Sequence, residues 1–242
     1  MKKTRKTDVI EAIKKLGVTP TDTILLHSAL FRFGRIDFTA HELLTELTNY
    51  LCNGDLILPT FTYSFRRQEI YNVRTSWPDK RLGVLGREAM AHDHYRNECP
   101  QFSFVSLNKT SVSILELQSE NCFGEGSVFN KICDNSVKIL SLGVDFSSGL
   151  TMFINFEKLA GVPYRYDLNL EGEVIDTGGE RLRRKATHYA LNENEFSEYQ
   201  TNRHPIGKKL LNENVCKTLD VSGVPIYSLN TADFRDSVTT AL

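Results

Sequence analysis

His27 follows directly on the apolar run Ile24, Leu25, Leu26 and is itself followed by Ser28. An imidazole at the end of a buried strand stands where ligands gather in open α/β sheets and can act as a base, although the same placement suits a core histidine that holds a turn. Thr151, Asn155 and Glu157 share one amphipathic stretch further along. A carboxylate there can orient a catalytic group. An amide can hold an oxyanion but takes no proton near neutral pH, and a threonine hydroxyl can donate or cap a helix. Two residues apart on a helix, Asn155 and Glu157 should occupy different faces. His92-Asp93-His94 contains metal-ligand residue types, but helical i, i+2 spacing splays the rings, so a solvated helix end is expected and no metal is implied. His188 and His204 read as structural.

The five cysteines, Cys52, Cys99, Cys122, Cys133 and Cys216, are odd in number and lack CxxC spacing. Neither a disulfide framework nor a zinc site is suggested, and a reducing cytoplasm fits best. Cys99 has no evident partner histidine and reads as a small buried residue instead of a nucleophile. The basic start MKKTRKTDVI runs into an amphipathic pattern, and no stretch approaches the roughly 20 apolar residues of a membrane span.

The chemistry-bearing residues are spaced by an alternation of helical and strand-like patterns. Across 242 residues, 40% are hydrophobic and 24% charged, enough apolar content for a sizeable core, and one domain over residues 1–242 is expected. Lys plus Arg is 29 against Asp plus Glu 30, and the one basic run, Arg181, Arg183, Arg184, Lys185, is short, so nucleic acid is not an expected partner. Val9, Ile13 and Leu16 predict a helix opened by Asp8 and Glu11 and stopped by Gly17. A strand over Thr23 to Leu26, a helix with the capping box Thr39-x-x-Glu42, and a strand over Leu56 to Leu58 follow. The aromatic and arginine-rich stretch from Pro59 to Lys80 reads as a long functional loop or lid.

Helices are then expected from Val84 to His92, Val112 to Leu117 and Thr151 to Ala160, with strands over Phe102 to Leu107 and Val137 to Leu142. From Val162 to Tyr189 short strand-like pieces punctuated by Gly172, Gly178 and Gly179 suggest antiparallel hairpins. A long helix over Phe196 to Leu211, interrupted at Pro205 and Gly207, a strand at Val224 to Tyr227 and a tail helix complete the reading. The fold class is α/β, layered, with a central mixed sheet flanked by helices and a β-rich C-terminal insert.

Six segments in order resemble the aminoglycoside 3-N-acetyltransferase family. Leu25-Leu26-His27-Ser28-Ala29-Leu30 is similar to its strand-end H-S-S-L, and Leu56-Ile57-Leu58-Pro59-Thr60-Phe61-Thr62 to its L-V-M-P-T-F-T. Gly83-Val84-Leu85 with Glu88-Ala89-Met90 is followed by Arg96-x-x-Cys99-Pro100-x-Phe102-Ser103-Phe104, which looks like R-S-x-H-P-x-x-S-F. Phe123-Gly124-x-Gly126-Ser127 precedes Lys138-Ile139-Leu140-Ser141-Leu142-Gly143-Val144, and Glu157-x-x-Ala160-Gly161-Val162-Pro163-Tyr164-Arg165 closes the set. Past Arg165 the match is loose.

The resemblance implies transfer of an acyl group from acetyl-CoA, or another acyl-CoA, to the amine of an amino sugar. Catalytic roles are expected of His27, Glu157, Asn155 and Thr151, the last donating to the leaving thiolate or else capping the helix, and co-substrate contacts of Ser28, Ala29, Leu30, Ser103 and Phe104. Three departures stand out. Ile154 occupies the histidine position of the family's T-x-L-H-x-x-E helix, Cys99 replaces a histidine before Pro100, and the chain is compact beside many antibiotic-modifying members. These point toward a biosynthetic branch acting on a nucleotide-linked 3-amino-3,6-dideoxyhexose for surface polysaccharide. Thr60, Arg66, Arg67, Arg74 and Trp77 would then meet the sugar and its diphosphate. Aminoglycoside acetylation and a non-catalytic CoA- or sugar-binding module are the alternatives, and His188 or His204 could replace the lost base.

Overall fold

The computed structural model describes residues 3–145, 150–192 and 204–239. Its strands are β1 (Thr23–Ser28), β2 (Asp55–Pro59), β3 (Tyr71–Asn72), β4 (Tyr95–Arg96), β5 (Phe104–Ser106), β6 (Lys138–Leu142), β7 (Arg165–Ile175), β8 (Arg181–Leu191), β9 (Cys216–Val221) and β10 (Val224–Asn230). The helices are α1 (Lys6–Lys15), α2 (Ala40–Tyr50), α3 (Val84–Ala89), α4 (Val112–Leu115), α5 (Val128–Asp134), α6 (Met152–Ala160), α7 (His204–Asn212) and α8 (Thr231–Thr239). Seven strands make a mixed sheet in the order β4-β5-β2-β1-β6-β10-β9, and β3, β7 and β8 make a second. In the large sheet β1 runs parallel to β2 and β6, and the outer pairs are antiparallel. This is the expected layered α/β architecture.

The central strands read as continuous apolar runs because both faces of the sheet are covered. Ile24, Leu26, Leu56, Leu58, Leu140 and Leu142 pack under α1, α2 and α3. Leu25, Ile57 and Ile139 point the other way, into a core with Phe129 of α5, Phe153 and Phe156 of α6, and Phe234 of α8. Phe61, Phe102 and Phe104 extend that core, with ring centroids 5.1 Å and 5.2 Å apart in edge-on contacts. Burying each such ring contributes roughly 1.5–3 kcal/mol.

The Thr39–Glu42 capping box forms in full, with Thr39 Oγ1 accepting from the Glu42 amide at 3.1 Å. The start of α1 differs from expectation: Arg5 is the N-cap, without a side-chain cap bond, and Asp8 instead pairs with Arg5 at 2.6 Å. Gly172 does not punctuate anything. It lies inside an eleven-residue strand, where an added Cβ would come within 2.7 Å of the Phe65 ring. The β-rich insert is therefore one long hairpin, and its basic run faces acids: Arg183 and Lys185 lie 3.5 Å and 3.6 Å from Glu171, and Arg184 lies 3.3 Å from Glu98. Pro205 sits in the first turn of α7, where its missing N–H costs nothing. The first part of the helix expected over Phe196 to Leu211 lies outside the described residues.

Some elements were not anticipated. β3 and β4 are two residues long, β9 pairs beside β10 at the sheet edge, and α5 was hidden behind the Gly-x-Gly turn. Gly124 and Gly126 adopt φ of +82° and +73°, and Ser127 then caps α5 by accepting from the Asn130 amide.

The stretch after Pro59 is not a free lid. Tyr71 is fully buried, β3 pairs with β7, and the Tyr71 hydroxyl donates to the Asn97 carbonyl at 2.9 Å. Arg96, 2% exposed, holds the stretch in place. Its guanidinium donates to the Thr60 carbonyl (2.8 Å), the Val73 carbonyl (3.1 Å), the Ser76 carbonyl (2.6 Å), Thr60 Oγ1 (3.2 Å) and Ser103 Oγ (3.1 Å). Tyr71 presents its ring face to the same cation at 5.2 Å. Replacing Arg96 with Met keeps volume but leaves these buried acceptors without donors, which should cost about 3 kcal/mol or more. Urea unfolding would measure this, and a loss below about 1 kcal/mol would show that the loop holds its shape without the guanidinium.

Candidate active site

β1 and β2 end side by side, and their carboxyl ends open into a cavity of about 280 Å³. His27, Ser28 and Ala29 line it from the end of β1 and the residue after it, Leu58 and Pro59 from β2, Arg81 and Gly83 from the segment entering α3, and Leu85 and Gly86 from α3 itself. Gly86 makes this approach possible, since a Cβ there would fall 2.7 Å from the Pro59 carbonyl. Phe31, 84% exposed, stands at the rim. Two larger hollows, of about 650 Å³ beside α1 and about 570 Å³ beside Glu98 and Arg184, contain no histidine and none of the expected catalytic residues.

His27 is 8% exposed, and its Nε2 is buried without a hydrogen-bond partner among the described residues. Burial alone lowers its pKa to about 4, so the ring is neutral at pH 7. The Ala29 amide is already spent on the Leu142 carbonyl at 2.9 Å, and Leu30 packs its side chain in the core and does not line the cavity. Ser103 and Phe104, expected to touch the co-substrate, are fully buried. The Ser103 hydroxyl donates to the Thr60 carbonyl at 2.6 Å, and Phe104 belongs to the aromatic core. Thr60 is likewise sealed and bonded to Arg96 and Ser103.

α6 carries the other expected catalytic residues, and two of them prove to be internal. Asn155 is fully buried, its Oδ1 accepting from the Gly124 amide at 2.8 Å and from Ser127 Oγ at 3.3 Å. It holds the turn before α5 and does not line the cavity, and its Nδ2 is buried without a hydrogen-bond partner among the described residues. Glu157 is 1% exposed and accepts from Arg165 Nε at 2.6 Å, tying α6 to β7. Thr151 makes no cap hydrogen bond and remains half-buried, and Ile154 is half-buried against the core. Cys99 is buried, its Sγ accepting from the Phe102 amide at 3.3 Å.

His188 faces inward from β8, its ring 5.1 Å from that of Phe102, and desolvation with the charges of Arg66 and Arg165 lowers its pKa to about 4. The side chain of His204 lies outside the described residues. Of the expected arginines, Arg66 and Arg74 are exposed, whereas Arg67 pairs with Asp79. Sequence reading missed Asp79 and Arg81. Arg81 reaches from the cavity wall to Asp79 at 2.9 Å and lies over the Tyr63 ring at 5.4 Å. Hydrogen bonds from Arg81, then from Arg67, hold the Asp79 carboxyl far below the usual range. Arg87 lies 5.3 Å from the Trp77 ring, which is 62% exposed. One carboxylate thus faces two guanidiniums, and the surface beside the cavity is cationic and aromatic. The pair Asp79-x-Arg81 four residues before the Gly83-Val84-Leu85 motif ends was the available signal.

An open strand-end cavity with a neutral histidine on a mixed α/β sheet can orient a small molecule by hydrogen bonding. The sequence model for the aminoglycoside 3-N-acetyltransferases matches residues 25–242, and the chain belongs to that family. It is accordingly an acyl-CoA:amine N-acyltransferase with an acyl-CoA co-substrate. Among solved structures, the YokD protein from Bacillus subtilis is similar over 100% of this chain and 93% of its own, at 20% identity and a TM-score of 0.78. AAC-IIIb, in binary complex with CoASH, is similar over 99% and 96%, at 18% identity and a TM-score of 0.80. A histidine-to-alanine mutant of AAC(3)-IVa in complex with a gentamicin is similar over 100% and 89%, at 19% identity and a TM-score of 0.80. No curated protein sequence matches.

The two depressed histidines carry a stability signature. His27 and His188 are neutral when folded but protonate near 6.5 when unfolded. Stability should therefore be complete above pH 6.5 and fall as pH drops from 6.5 toward 4, by roughly 3 kcal/mol per fully realised shift. Urea midpoints measured across that window should decline, and His27→Gln should flatten the decline. An unchanged slope in His27→Gln would show that His27 titrates as an ordinary exposed imidazole.

Proposed function

We propose that this chain works in the cytoplasm, as one domain spanning residues 1–242, to N-acylate an amino sugar carried on a nucleotide diphosphate, a step in surface polysaccharide synthesis. The observation that carries this reading is the charge around the cavity, where Asp79 is neutralised by Arg67 and Arg81 and Arg87 lies over Trp77. Guanidiniums beside an aromatic face suit a diphosphate and a base, whereas a polycationic acceptor needs unpaired carboxylates. Among the described residues, no helix is long and apolar enough to cross a membrane.

In this reading the acyl-CoA thioester enters the cavity beneath Ser28 and Gly86. The sugar amine, as free base, attacks the carbonyl carbon; the C–N bond forms, the C–S bond breaks, CoA leaves as thiolate, and the amine's extra proton passes to water. A thioester is already activated, so orientation supplies much of the rate. Neutral His27 orients the amine by hydrogen bonding, and the family's base, replaced by Ile154, is not required. Glu157 acts through Arg165 by fixing α6.

Acetylation of an aminoglycoside antibiotic is the second reading, favoured by the family match and by the gentamicin-bound neighbour. Thiol release from acetyl-CoA and longer acyl-CoAs, with nucleotide-linked 3-amino sugars and with aminoglycosides, separates the two. Under the first reading, Arg81→Ala should raise KM for the nucleotide sugar about tenfold by removing a charge-assisted hydrogen bond. His27→Ala should lower kcat by at least about tenfold. Turnover on aminoglycosides alone would establish the second reading, and silence with every amine would leave a binding module.

A further inference from the structure

Outside the site, His41, Glu88 and His92 converge where α2 begins and α3 ends. His41 Nδ1 lies 3.0 Å from Glu88 Oε1, and His92 Nε2 lies 3.9 Å from the same oxygen. The two imidazoles stack with centroids 4.7 Å apart and planes inclined by 26°, and one ligand atom from each of the three residues lies within 4.8 Å of the others. One carboxylate oxygen faces both rings, and His92 Nε2 is buried without a hydrogen-bond partner among the described residues. A hydrogen-bonded cluster accounts for His41 but leaves His92 unsatisfied.

We propose that His41, Glu88 and His92 form a binding site for a divalent transition-metal cation of the zinc class, which ties the start of α2 to the end of α3. Two imidazoles and a carboxylate suit zinc, copper or nickel over magnesium or calcium, which prefer all-oxygen ligands. Ligand atoms around a tetrahedral zinc at about 2.0–2.1 Å stand roughly 3.3 Å from one another. The present spacings approach this, and the His41 side chain, 65% exposed, is free to make the remaining adjustment. The neighbours that make the local sequence look metal-binding are otherwise engaged. Asp93 pairs with Lys109 at 2.5 Å, and His94 Nδ1 lies 2.7 Å from the His92 carbonyl. Burial, then His41, lowers the His92 pKa, which favours the neutral ligand form. The metal would brace α3, whose Leu85 and Gly86 wall the cavity, without touching substrate.

The test is calorimetric titration of the full chain with Zn²⁺, after removal of metals by chelation and in a Cys52→Ser background that eliminates the exposed thiol. One ion per chain should bind saturably, and His41→Asn, Glu88→Gln and His92→Asn should each weaken binding by at least about tenfold, the loss seen even for outer-shell partners of a metal site. In the unsubstituted chain, Zn²⁺ should protect His41 and His92 from diethyl pyrocarbonate, read by mass spectrometry, so the outcome does not depend on the variants folding. Absence of saturable binding at millimolar Zn²⁺, unchanged affinity in all three variants, or unprotected histidines would overturn the proposal.

Discussion

A buried guanidinium, without a counter-ion among the described residues, organises the cavity side of this molecule. Removing a charge from water is costly unless its donors are satisfied, and Arg96 meets that condition with carbonyl and hydroxyl oxygens drawn from the end of β2, the segment before β5 and the 73–76 turn. Lysine, with three donors on a single nitrogen, could not span these acceptors. Because the 73–76 turn is fixed, the residues that follow it are fixed as well. Arg81 lines the cavity and is held there by Asp79, on a packed platform and not on a swinging lid.

The same economy governs α6. Asn155 and Glu157 read as chemistry because of their residue types, yet their acceptor oxygens are engaged internally, Asn155 Oδ1 by the turn that caps α5 and the Glu157 carboxylate by Arg165. Their burial leaves His27 as the histidine that lines the cavity, with a neutral ring held out of water. A low-pKa imidazole is a poor proton acceptor but a good hydrogen-bonding guide, which is the demand made by an activated thioester and a free amine. Under the proposed reading, Ile154 at the family's histidine position is compatible with transfer chemistry, and the arginine pair on Asp79 would set the charge that the acceptor meets.

By itself the sequence determined the α/β class, the helices with clear periodicity or caps, the central strands, and the family. These follow from local patterns: apolar runs for strands covered on both faces, Thr39-x-x-Glu42 for a helix start, and motifs that recur in order. Only the tertiary structure decided which polar residues face the cavity and which are spent inside. Ser103, Thr60, Asn155 and Glu157 were withdrawn because their partners, Arg96, Gly124 and Arg165, are supplied by other segments. Arg81 and His41 gained significance for the same reason, the first through a cavity built by β1 and β2, the second through Glu88 and His92 about fifty residues away. Hydrogen-bond satisfaction and charge pairing depend on distance in space, and spacing along the chain reports that distance only within one helix, strand or turn.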